Sequence, residues 1–194
     1  MCWAGAAAAQ SRESVEVPRS NASSHPPLPQ CVTGDTLLDS PVVRDLLRLL
    51  WMHSNADAAA RDRREQVGFI FDSAGVLLSR ADLNNPANTP CRSACVVPLA
   101  GRGLAAATTH PFRPGEVLPP SCSPGASERR MYSVDRFGGA SELDLLASWH
   151  WGVPIYIIDK ESVYFIPRGA NKENASSVAK RYPRVDPETG CGII

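Results

Sequence analysis

The sequence predicts an α+β domain, a mostly antiparallel sheet flanked by helices. Three observations predict it. Two segments carry apolar residues at helical spacing, two pairs of short β-rich runs are joined by tight turns, and the order is helix, strands, helix, strands. Turns that short make hairpins, and hairpins make antiparallel ladders. With 194 residues, 43% hydrophobic and 21% charged, the chain has the length and composition for one good hydrophobic core.

Residues 1–37 read as a flexible arm: an Ala run followed by Ser, Asn and Pro-rich sequence such as Ser23-Ser-His-Pro-Pro-Leu-Pro. The domain is expected over 38–168. Ser40-Pro41 opens its first helix, with Ser as N-cap and Pro at the first helical position; Val42, Val43, Leu46, Leu47, Leu49 and Leu50 make the apolar face. Gln66-Val-Gly-Phe-Ile-Phe and Val76-Leu-Leu-Ser flank the turn Asp72-Ser-Ala-Gly75 and predict a hairpin. Ser93–Val97 and Gly103–Thr109 are short β-compatible segments. The stretch Pro111–Gly139 holds five of the seventeen prolines, and an irregular connection of that length is more often functional than neutral.

Ser141–Trp151 predicts the second helix, with Leu143, Leu145, Leu146, Ala147 and Trp149 as apolar surface and Gly152 as its stop. Val153-Pro-Ile-Tyr-Ile-Ile158 and Ser162-Val-Tyr-Phe-Ile166, joined at Asp159-Lys-Glu, predict a closing hairpin. Residues 169–194 are polar without a strong period and read as a loosely held C-terminal tail.

Twenty basic and twenty acidic side chains cancel, which argues against a general nucleic-acid binder or a surface drawn to anionic lipid. No apolar run approaches the ~20 residues that span a bilayer. The start, Met1-Cys-Trp-Ala-Gly, lacks a basic n-region and makes a poor secretory signal, which leaves the compartment open. The six cysteines are scattered, compatible with one or two disulfides or with reduced thiols. Cys91-x-x-x-Cys95 has the spacing of half a zinc site, but no second pair completes it.

Phosphate-loop, dinucleotide, H-E-x-x-H and G-x-S-x-G signatures are absent. What stands out is dispersed: Glu65 before a strand, Thr108-Thr-His-Pro111 at the end of a small-residue strand, and Gly138-Gly-Ala-Ser-Glu-Leu-Asp144 at a helix start. Taken locally, Ser141 and Asp144 also read as a capping pair. Together over residues 40–168, this order resembles the JAB/MPN (JAMM) metallopeptidase family, with its Glu before an early strand, then H-x-H-P, then S-x-x-D. It is most similar to bacterial JAB-like domains, and "GVPIYIIDKESVYFIPRG" is similar to their closing hairpin.

The resemblance implies the cytidine-deaminase-like JAB/MPN fold and hydrolysis of an amide or isopeptide bond by zinc-activated water. Glu65 would be the general base, His110 and Asp144 zinc ligands, and Ser141 the hydroxyl that stabilises the oxyanion. Strand residues at i and i+2 face one side, which is why H-x-H can ligate. Here the first histidine falls on Thr108, and a hydroxyl is a poor zinc ligand. Cys122 and Glu116 are candidate substitutes on the following loop; His150, six residues after Asp144, is expected to point away. The resemblance therefore carries two readings. One is a zinc-dependent isopeptidase-type hydrolase acting on a peptide or protein. The other is an inactive pseudoenzyme that binds a peptide or protein partner or forms part of a bacterial effector. Both place Glu65, His110, Ser141 and Asp144 in one cleft, with Thr108 facing it.

Overall fold

The computed structural model describes residues 31–83, 85–93, 102–122, 131–133, 137–185 and 191–194. Six strands form one open sheet: β1 (Val67–Ser73), β2 (Val76–Asp82), β3 (Arg102–Thr109), β4 (Ile155–Ile158), β5 (Ser162–Ile166) and β6 (Lys180–Pro183), in the order β2-β1-β3-β4-β5-β6. Every neighbouring pair is antiparallel except β3 and β4, which run parallel. Among the described residues, three α-helices accompany it: α1 (Pro41–His53), α2 (Glu142–Trp151) and the short α3 (Ala175–Val178). The α+β class and the mostly antiparallel sheet are as the sequence predicts.

The period of two along each strand divides the buried side chains between the two faces of the sheet. Ile70, Ala105, Ala107, Tyr156, Ile158 and Val163 share one core with Val43, Leu46, Leu47 and Leu50 of α1. Val67, Phe69, Ala106, Ile155, Ile157, Tyr164 and Ile166 point the other way, toward Leu145 of α2 and toward Phe137 and Ala140 on the segment before it.

Helix α1 starts at Pro41 as expected, but the Ser40 side chain makes no capping bond. Arg44 is buried in the middle of its apolar face, where it ion-pairs with Asp39 at 2.6 Å and donates to the Leu38 carbonyl at 3.0 Å. A buried guanidinium is tolerated only when paired and hydrogen-bonded in this way. The β1–β2 hairpin forms over the expected turn, with the Gly75 N–H donating to the Asp72 carboxylate at 2.8 Å.

The C-terminal stretch differs from expectation. Far from being a loose tail, it supplies α3 and adds β6 to the sheet against β5. Ile193 is buried, and Cys191 is bridged to Cys31. The strand was hard to read because a four-residue edge strand, Lys-Arg-Tyr-Pro, is polar and carries the Pro that edges tolerate. At the other end, residues 31–37 belong to the fold too: the Thr33 N–H donates to Asp39, and Asp35 accepts from the Tyr156 hydroxyl at 2.9 Å. Residues 1–30, and 94–97 of the β-compatible segment, lie outside the described residues; Ser93 is in coil.

Candidate functional site

Register brings the first two site residues together. Val67 pairs with Thr108 across the antiparallel β1–β3 ladder, so Glu65, two residues earlier, lies opposite His110, two residues later. All four therefore project from the α2 side of the sheet. Just past the carboxyl end of β3, the His110 N–H donates to the Ile158 carbonyl at 2.8 Å, which ties the residue to the end of β4.

The other two come from the start of α2. Ser141 caps that helix: its hydroxyl accepts from the Asp144 N–H, and the Asp144 carboxylate accepts from the Ser141 N–H at 2.7 Å, a complete capping box. The Ser141 hydroxyl also donates to Asp144 Oδ2 at 2.7 Å. The preceding glycines let the chain come in close. Gly138 and Gly139 have φ of 61° and 91°; a Cβ at Gly138 would strike Ala179 Cβ, and one at Gly139 would lie 2.8 Å from the Tyr164 ring. At the far end, Gly152 stops the helix in the left-handed conformation, φ 67°.

Glu65, His110, Ser141 and Asp144 thus converge. His110 Nε2 is 3.1 Å from Asp144 Oδ2 and 3.8 Å from Glu65 Oε1. On the other side of the ring, Nδ1 lies 3.4 Å from the Tyr132 hydroxyl, which in turn lies 3.5 Å from Asp159 Oδ2. Both ring nitrogens thus face acceptors, as suits an imidazolium. Tyr132 and Asp159 had no sequence signal: one lies in the irregular connection and the other in a hairpin turn, where an Asp has an ordinary role in accepting turn N–H groups. It does that here, from Glu161 and Ser162.

Burial and charge set the protonation states. Burial pushes Glu65 up to about 8; His110 opposes this and the Asp144 charge adds to it. For His110, burial alone would lower the pKa, but Asp144 foremost, with Glu65 and Asp159, raises it to about 9. Burial also works against an ionised Asp144, yet His110 and the bonds from Ser141 outweigh it and hold the carboxyl below its usual range. At neutral pH the cluster is an Asp144 carboxylate against a His110 imidazolium, with a protonated Glu65 beside them.

Glu65, Thr108, Ser141 and Asp144 line a cleft of about 420 Å³, walled by the rim Cys91–Ser93 and by Leu143, Leu146, Trp149, His150 and Trp151 of α2; His110, buried against Asp144, does not itself line it. Most of the apolar residues of α2 do not enter the core. Leu145 is buried and the Trp151 ring packs edge-on against Phe69 at 4.9 Å, but Leu143, Leu146 and Trp149 are 42%, 51% and 73% exposed. His150 lines the cleft as well, contrary to the expectation that it points away, because the cleft extends along the helix beyond Asp144's own face.

Among the described residues, the donor set for a catalytic zinc ion is incomplete. Thr108 lines the cleft as expected, but its hydroxyl is turned to the strand, donating to the Gln66 carbonyl at 3.1 Å. Cys122 is bridged to Cys91, which removes both a substitute thiolate and half of the Cys91-x-x-x-Cys95 pair; Cys95 lies outside the described residues. Glu116 is held by Arg63 at 2.7 Å and by the Arg113 N–H at 2.9 Å. Among the described residues, no group of three or more His, Cys, Asp or Glu side chains is arranged to hold a metal ion. Two protein ligands, already bonded to each other, fall short of the three that a catalytic zinc site uses.

No protein-family model matches the chain, and neither the curated proteins nor the solved structures gave a match.

Proposed function

We propose that this is a JAB/MPN-like domain whose hydrolytic site has become a binding cleft for a peptide or protein segment. The observation that carries this is the direct His110–Asp144 pair at 3.1 Å, with the Thr108 hydroxyl committed to the backbone, Cys122 bridged to Cys91 and Glu116 held by Arg63. What is kept suits recognition: a polar floor able to hydrogen-bond a main chain, and walls of exposed Leu and Trp side chains that gain from burial. Among the described residues, no helix is long and apolar enough to cross a membrane.

The experiment is a titration of the full chain with a library of short N-acetylated, C-amidated peptides, read by tryptophan fluorescence and by mass spectrometry of the peptides. The expected result is saturable binding of apolar sequences, weakened by Trp149→Ala, with every peptide recovered intact. Cleavage of a bound peptide would contradict the proposal and restore the second reading, an isopeptidase-type hydrolase. That reading is favoured by one observation, the retention of Glu65 and Ser141 beside His110 and Asp144.

A further inference from the structure

The Cys91–Cys122 bridge is placed where it can act on the cleft. Cys91 lines the cleft, and Arg92 and Ser93 complete that stretch of its rim. The rim grips Glu65 at two points: the Glu65 N–H donates to the Thr89 carbonyl at 2.9 Å, and the Ser93 N–H bonds to the Glu65 carboxyl. Thr89 closes the loop on itself, its N–H donating to the Arg92 carbonyl at 2.8 Å. Residues 89–93 belong to no strand or helix, and the sulfur bridge fixes the loop to Cys122, at the end of a 3-10 turn on the connection that follows His110. One bond thus joins the loop after β2 to the loop after β3, across the side of the site where Glu65 lies.

We infer that Cys91–Cys122 is a redox tether of the cleft, and that its reduction by a dithiol releases the rim from Glu65 and weakens binding. This is a regulation of the binding site proposed above and rests on that reading. The chemistry is thiol–disulfide exchange. One thiolate of the dithiol attacks a bridge sulfur, breaking the S–S bond and expelling the other cysteine as a thiolate. The second thiol of the reductant then displaces the mixed disulfide. The dithiol leaves as its cyclic disulfide, having given up two electrons, and its two protons end on Cys91 and Cys122.

The second bridge is a built-in control. Cys31–Cys191 closes a separation of 160 residues against 31 for Cys91–Cys122, and freeing the longer loop releases more chain. Its surroundings are also braced: the Cys31 carbonyl accepts from buried Arg44, the Cys31 N–H donates to the Gly192 carbonyl at 3.3 Å, and Ile193 is buried. The rim bridge closes the shorter loop and is the one expected to open first.

The test takes the full oxidised chain through graded dithiothreitol and reads three things. These are alkylation of each cysteine by mass spectrometry, amide exchange at Glu65 and Arg92–Ser93, and affinity for the best peptide from the library. Cys91 and Cys122 are expected to be alkylated before Cys31 and Cys191. With that step, Glu65 exchange should accelerate about tenfold or more and peptide affinity should fall about tenfold, both restored by reoxidation. The Cys91→Ser/Cys122→Ser variant should match the reduced protein, and Cys31→Ser/Cys191→Ser should not; if the first fails to fold, the reversible titration of the native chain decides. Unchanged Glu65 exchange after Cys91–Cys122 opens would overturn the tether. Equal peptide affinity of oxidised and reduced protein would overturn it too, while leaving the binding reading in place. Absence of any peptide binding to the oxidised protein would sink both.

Discussion

The two faces of the sheet are built from the same strands and do opposite things with them. On the α1 face, Leu46, Leu47 and Leu50 are fully buried against Ile70, Tyr156 and Ile158, and the Arg44 guanidinium enclosed there is paired with Asp39. On the α2 face, the helix gives the core little more than Leu145 and the edge of Trp151. It stands its other apolar side chains around a cleft lined by Glu65 and Asp144, with His110 buried against Asp144. One face converts apolar area into stability. The other leaves apolar area exposed and encloses three titratable groups, an arrangement with no benefit to folding alone and one typical of functional sites.

The two faces are expected to differ most in their response to substitution at Asp144. Asp144→Ala removes the partner of a buried imidazolium and half of the capping box, and is expected to cost about 3–5 kcal/mol in urea denaturation. A cost under about 1 kcal/mol would mean that the pair is not enclosed in the folded protein. On the other face, Leu47→Ala should cost about 3 kcal/mol through the cavity it leaves, with peptide affinity unchanged under folding conditions. If affinity fell as well, the two faces would be coupled.

Next in size is a pH effect that only the α2 face can produce. Glu65 in the folded chain holds its proton to about 8, above its ordinary value, so its contribution is complete at acid pH and is lost as pH rises toward 8. His110, raised to about 9, likewise contributes fully below its ordinary value and is lost as pH rises through 9. Asp144, lowered, works in the opposite sense and loses its contribution only in acid. Thermal stability is therefore expected to fall from about pH 5 to about pH 9, and Glu65→Gln should flatten the part of that slope below about pH 8. A flat native profile over this range would contradict the charge arrangement of the floor.

The smallest effect on stability is expected at Trp149, which is 73% exposed. Trp149→Ala should change unfolding free energy by no more than about 0.5 kcal/mol, yet weaken peptide binding about tenfold. A loss of stability without a loss of affinity would reverse the roles assigned to this helix.

How far the sequence could be read differs between the faces in the same way. The α1 face was legible because it follows periodicity: Leu46, Leu47 and Leu50 recur at helical spacing, and the strand residues beneath them alternate. Both hairpins were legible from their turns. The parallel pairing of β3 and β4 was not, because it joins strands separated by the long Pro111–Gly139 connection and α2, with no local signal for direction. Arg44 was missed because a buried ion pair depends on where Asp39 and the Leu38 carbonyl end up. The cleft was legible only through the order Glu65, His110, Ser141, Asp144, since periodicity marked Leu143, Leu146 and Trp149 as apolar surface without saying what they face. Tyr132 and Asp159 were invisible, and so was the pairing of Cys91 with Cys122, which depends on two loops meeting in space.

The most direct test of the central claim, a cleft that keeps the residues of a hydrolytic site without its metal, is zinc stoichiometry. It would be measured by elemental analysis and calorimetry on tag-free protein, for the native chain, Thr108→His and His110→Ala. The expected result is no stoichiometric zinc in the native chain and about one zinc per chain in Thr108→His, where an imidazole at position 108 completes three ligands. One tightly bound zinc in the native chain, lost in His110→Ala, would contradict the claim and return the site to the hydrolases.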